Sequence, residues 1–145
     1  MSARSVAQEF FAGLQSGDAD KVSGLLASGA TVALVPLGVT GTMAGEGAAY
    51  LQALAEAFPD LMVRTRRLFV TADNAAVAEV TLDGTQAADF LGAVNQEKHF
   101  DLDQAWILQV DDQDRITAVT GYWCQNQAYR RLGVKRLDKI SITAR

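Results

Sequence analysis

The sequence predicts an α+β fold, and three observations carry that reading. Apolar residues recur at helical spacing in three segments before residue 60. After it the period switches to two along four consecutive runs. Helices gathered ahead of a strand meander, not alternating with strands, argue for α+β organisation over parallel winding.

Each element follows in order. Val6, Phe10 and Leu14 recur every four residues, with Ala7 and Phe11 beside them, predicting an amphipathic helix over 5–16. Ser5-Val6-Ala7-Gln8 has capping-box spacing, and Ser16-Gly17-Asp18 breaks the helix. Asp18 caps a second helix carrying Val22, Leu25 and Leu26, which Ser28-Gly29 ends. Residues 31–35 read as a short buried strand before Pro36. Gly38, Gly41, Gly45 and Gly47 then punctuate a loop. Leu51, Leu54, Ala55 and Phe58 have helical spacing, and Pro59 stops that helix. Residues 61–71, 75–82, 98–110 and 115–123 predict four strands, with Asp73-Asn74, Asp83-Gly84 and Asp111-Asp112-Gln113-Asp114 as turns. Residues 125–132 predict a last short helix, stopped by Gly133.

Composition narrows the function classes. The 145 residues make one ordinary domain, 49% hydrophobic and 21% charged. No apolar run approaches the ~20 residues of a membrane helix. No basic region followed by an unbroken apolar core opens the chain, so neither a membrane nor a secretory signal is expected. A lone cysteine, Cys124, makes no internal disulfide, and a cytoplasmic setting is expected. Residues 130–145 carry a net charge of +5 and the rest −9. A body so acidic is a poor nucleic-acid partner, so none is expected. The division is one domain over 1–132 and a basic C-terminal tail over 133–145.

Strand parity assigns faces. Phe100, Leu102, Gln104 and Trp106 share one face of residues 98–110 with Gly121 and Trp123 of the last strand, while Ala105 and Ile107 lie on the other. Both faces carry apolar groups. Helices cover one, and a second copy of the chain is expected on the other.

Ser16-Gly17-Asp18, Ala30-Thr31-Val32, Phe58-Pro59-Asp60 and the closing Asp114-Arg115-Ile116 and Tyr122-Trp123 are carried in an order that resembles the nuclear-transport-factor-2-like superfamily, in its SnoaL-like and ketosteroid-isomerase branch. The resemblance covers residues 5–132. It implies a cone: a curved antiparallel sheet wrapped around three N-terminal helices, the cystatin-like α+β barrel, enclosing an apolar pocket and pairing as a homodimer through its outer sheet face. It also implies isomerases, polyketide cyclases, hydrolases or non-catalytic binders, so fold alone does not give function.

The positions matching the isomerase acid and base set are apolar here. The helix tyrosine falls on Phe10, the base aspartate on Leu34 or Val35, and the protonated acid on Trp106. Neither alkyl nor indole groups shuttle protons. The last-strand acid of related hydrolases and cyclases falls on Gly121, and the acid after the aromatic pair on Cys124. Trp123 matches a pocket aromatic.

The expected ligand-binding residues are therefore Phe10, Leu14, Leu34 and Phe58 from the first half. Gln104, Trp106 and Trp123 complete the set, with Gln104 as the polar handle; the alternative is that these side chains simply fill the core. His99, Asp101 and Asp103 are the candidate catalytic residues, since imidazole with carboxylates along one strand can act as a base. Parity places them on the outer face, where rim charges are the plainer reading. Arg64 and Arg66 are read as partners of Glu79 or as an anion grip at the cone mouth. Tyr50 is expected to be partly buried, and Cys124 to be a buried, inert thiol. The glycine loop over 41–47 lacks the Lys-Ser/Thr ending of a phosphate loop and contains Glu46.

The function expected is a SnoaL-like pocket protein for a small hydrophobic metabolite, with no cofactor or metal. Isomerase, cyclase or hydrolase chemistry would use a non-standard set of residues. The alternative is a non-catalytic ligand-binding or dimeric interaction module.

Overall fold

The computed structural model describes residues 2–134. Four helices sit against one six-stranded curved sheet. The order is α1 (Ala3–Ser16), α2 (Ala19–Ser23), β1 (Leu26–Leu34), β2 (Val39–Thr42), α3 (Ala48–Ala57), β3 (Met62–Val70), β4 (Ala75–Thr85), β5 (His99–Val110), β6 (Ile116–Trp123) and α4 (Gln125–Arg131). Across the sheet the strands run β2-β1-β6-β5-β4-β3. The α+β class is as expected, but the sheet is mixed. β1 lies parallel to β6, whereas the other pairs are antiparallel.

Local chemistry explains where the boundaries differ from expectation. The α1 capping box uses Ser2 and Ser5, not Ser5 and Gln8, so the helix begins at Ala3, two residues earlier than expected. Gly17 ends it in the left-handed region, at φ 69°. Asp18 caps α2 by accepting from the Lys21 amide, as expected. That helix stops at Ser23. The Gly24 amide closes on Asp20, and Leu25 and Leu26 leave to meet Ile116 of β6.

The glycine-punctuated loop hides a strand. Val39–Thr42 pairs with β1, and a single π turn (Met43–Gly47) then leads into α3. Thr42 Oγ1 accepts from the Gly45 amide while the Glu46 carboxylate accepts from the Thr42 amide, each at 3.0 Å. This reciprocal cap assigns Glu46 to closing a turn. The Thr42 bond holds the Glu46 carboxyl below its ordinary pKa.

The core lies between α1, α3 and the concave sheet face. Phe100, Leu102, Gln104, Trp106, Leu108 and Val110 of β5 are buried, and the intervening His99, Asp101, Asp103 and Ile107 are exposed. Ala76, Ala78, Val80 and Leu82 of β4 bury the same face. The loop over 86–98 folds across one end. Gln86, itself 1% exposed, donates to the Ala93 carbonyl at 3.0 Å. From α4, Tyr129 donates to the Leu91 carbonyl at 2.7 Å. No helix among the described residues is long and apolar enough to cross a membrane. The basic tail expected over 133–145 lies outside the described residues beyond Val134.

Candidate functional site

The cone interior is an aromatic cluster. Phe58 stacks on Phe100 at 4.5 Å between centroids, and Phe90 meets Phe58 edge-on at 5.2 Å. Deeper in, Trp106 lies 6.3 Å from Phe10 and 6.1 Å from Trp123. Tyr50 of α3 stacks on Trp123 at 5.6 Å with planes 21° apart. Offset geometries of this kind add about 0.5–1.5 kcal/mol per pair beyond burial.

One backbone position makes the cluster possible. A methyl group on Gly121 would stand 2.8 Å from the Trp106 ring, so the indole lies flat on bare β6 backbone. This is the position where a related acid was expected, and here it is given over to packing.

Polar order within the cluster follows from donor inventory. Trp106 Nε1–H can only donate, and it lies 2.9 Å from Gln104 Oε1. The amide oxygen of Gln104 is thereby oriented toward the indole. Its NH2 group is left for the Tyr50 phenol, to which the Gln104 side chain hydrogen-bonds. Burial pushes the Tyr50 phenol well above its ordinary pKa, opposed in part by Gln104. The phenol therefore keeps its proton across the physiological range. At the rim, Trp123 donates to Gln125 Oε1 of α4 at 2.6 Å.

The expected ligand-binding residues occupy different depths. Phe10, Leu14, Leu34, Phe58 and Trp106 are core residues packed out of solvent, as is Gln104. Trp123 is half-buried. Tyr50, expected to be partly buried, is fully inside, because helical spacing from Leu54 and Ala57 turns it onto the sheet. Phe90 was missed: it sits in an irregular loop with no period to betray it. Beside Leu14, a separate cavity of about 540 Å³ runs between α1, α2 and α3, with Met43 and Leu51 in its wall.

The candidate catalytic residues lie outside the cone, as parity required. Asp101 pairs with Arg131 of α4. Asp103 accepts from Thr81 at 2.8 Å and from Arg66 at 3.1 Å. Thr81 first, and Arg66 after it, hold the Asp103 carboxyl below its ordinary value. The partner of His99 is neither of these acids. It is Asp83, across the β4–β5 ladder at 2.7 Å.

The arginines also pair differently from expectation. Arg67 meets Glu79 at 3.5 Å, Arg64 meets Asp83 at 3.4 Å, and Arg66 is committed to Asp103. The ladder shifts between Thr65 and Arg67, and this re-aims the side chains. All three pairs lie on the outer face, away from any cone-mouth grip. Cys124 is exposed instead of buried. It sits past the strand end, where its Sγ accepts from the Gln127 amide at 3.4 Å and caps α4.

The profile of the SnoaL-like domain matches residues 7–119. No curated protein matches the sequence. Among solved structures the chain is similar to TsrD from Streptomyces laurentii, at 21% identity and a TM-score of 0.77, over 90% of this chain and 94% of that one. It is similar to IdmH, a candidate polyketide cyclase from Streptomyces antibioticus, at 19% identity and a TM-score of 0.79, over 92% and 100%. A protein of ketosteroid isomerase-like fold from Catenulispora acidiphila, in complex with trimethylamine, is 15% identical with a TM-score of 0.74, over 90% and 93%. At these identities the likeness is one of fold.

Proposed function

The chain belongs to the SnoaL-like domain family, and on that footing we propose that it binds a flat, hydrophobic small molecule at the Trp123 end of its cone. Trp123 carries this reading. It is the half-buried member of a cluster whose other rings are closed from solvent, and it stacks on both Tyr50 and Trp106. A planar ligand extends that stack, and the Tyr50–Gln104 pair supplies the orienting hydrogen bonds.

The chemistry open to this site is limited. Among the described residues the buried side chains with polar groups, besides Tyr50, Tyr129 and the Trp106 indole, are Thr81, Gln86 and Gln104, and no carboxylate or imidazole is buried. A protonated phenol donates a hydrogen bond but takes no proton from carbon near neutral pH. Holding a chain in a cyclising conformation against a donor fits these residues, and so does binding without turnover. Ketosteroid-isomerase-type proton shuttling fits neither.

The same reading places a second copy of the chain on the outer sheet face. Phe69, Ile107 and Tyr122 are exposed there, at 46%, 36% and 43%.

A thermal-shift screen of polycyclic ketones, quinones and sterols tests the pocket. A ligand at a hundred times its dissociation constant stabilises by about 2.7 kcal/mol. Trp123→Ala, a rim substitution, is expected to remove the shift while leaving the fold. A ligand shift of equal size in that variant would defeat the assignment.

A further inference from the structure

We infer that Thr85, His99 and Asp83 form a hydroxyl–imidazole–carboxylate array, on the outer face of the sheet, that takes up an acyl group on Thr85 from small activated esters.

The ladder builds it. Thr85 and His99 stand directly opposite in the antiparallel β4–β5 pair, and Asp83 lies two residues from Thr85 on the same face. Asp83 Oδ1 is 2.7 Å from His99 Nε2, and Thr85 Oγ1 is 3.0 Å from Nδ1. An ionised carboxylate only accepts, so Nε2 carries the proton of the neutral ring. Nδ1 then presents its lone pair to the Thr85 hydroxyl. Arg64 lies 3.4 Å from the other carboxylate oxygen of Asp83. The Thr85 amide is tied to Asp60 Oδ1 at 2.9 Å, which fixes the backbone that presents the hydroxyl.

These are the three roles of nucleophile, base and orienting acid, with the two ring nitrogens in exchanged positions. His99 is 59% exposed, so small esters reach it. It lies eight residues along β5 from Ile107, about 26 Å at 3.3 Å per residue, clear of the apolar patch assigned to a second copy.

The step balances. Nδ1 takes the hydroxyl proton as Oγ1 bonds to the carbonyl carbon. The tetrahedral adduct collapses, its bond to the leaving oxygen breaks, and the leaving group departs as a phenolate while the imidazolium returns its proton to solvent. Water, deprotonated by Nδ1, then cleaves the threonyl ester to the free acid and restores the hydroxyl. An open site favours esters whose leaving group needs no protonation.

The test uses the full chain with 4-nitrophenyl acetate and locates acetyl groups by peptide mass spectrometry. The expected result is acetyl on Thr85, lost in Thr85→Ala and reduced at least ~10-fold in His99→Ala, in keeping with general-base assistance. Added imidazole is expected to restore acetyl-Thr85 in His99→Ala but to do nothing in Thr85→Ala. As a positioning residue, Asp83 is checked by slower labelling in Asp83→Asn and recovery in Asp83→Glu. Acetylation confined to lysines, or Thr85 labelling indifferent to His99→Ala, would overturn the assignment.

Discussion

Gly121 shows how one residue sets the character of the site. Its missing side chain admits the Trp106 ring onto the strand. Gly121→Ala drives a methyl into that ring, and overpacking of this kind costs about 1–3 kcal/mol. Chemical denaturation is expected to show a lowered midpoint with an unchanged slope, and an unaltered midpoint would remove Gly121 from the account. Tyr50 gives a second residue-level outcome. Its phenol is buried and its folded pKa lies above the unfolded value of about 10. The folded state therefore holds the proton more tightly, and stability present below pH ~10 declines as pH rises beyond it. The stability difference between wild type and Tyr50→Phe is expected to shift against wild type above pH ~10. Parallel curves would show that the phenol is not desolvated.

Elements were legible where a period or a punctuating residue existed. β5 alternates without interruption from Phe100 to Val110, and its inner and outer faces were readable residue by residue. Gly17, Asp18 and Gly133 marked true ends. β2 was hidden because four residues carry too little alternation to stand out among glycines, and its pairing with β1 is a tertiary fact. The parallel β1–β6 pair was equally invisible, since nothing local distinguishes a strand's direction. Within the site, Trp106, Trp123 and Gln104 could be placed together by parity, whereas Phe90 in an aperiodic loop could not. The bond between His99 and Asp83 depends on which residues face each other across a hairpin whose connection spans 86–98, and spacing within one strand pointed to the wrong acids. The outer faces of β5 and β6 carry their own test. Sedimentation at micromolar concentration is expected to give a dimer for wild type and a monomer for Ile107→Asp, which places a charge in the apolar patch. A stable wild-type monomer contradicts a second copy on this face.

At the scale of the whole molecule, the cone is a scaffold whose interior is given to aromatic packing and whose carboxylates and imidazole, among the described residues, are not buried. His99, Asp101 and Asp103 all face solvent, held by Asp83, Arg131, Thr81 and Arg66. Within the aromatic cluster, Gln104 hydrogen-bonds both the Tyr50 phenol and the Trp106 indole. On the proposed reading, such an interior would recognise a ligand by shape and ring stacking more than by charge. The chain contains two tryptophans, and both lie in the cluster, 6.1 Å apart. Tryptophan emission, excited apart from that of the tyrosines, therefore reads the cone. Titrating the protein with a stabilising polycyclic ligand is expected to give a saturable change in emission, at one ligand per chain, that Trp123→Ala abolishes. Binding that leaves tryptophan emission unchanged would place the ligand elsewhere and contradict the account.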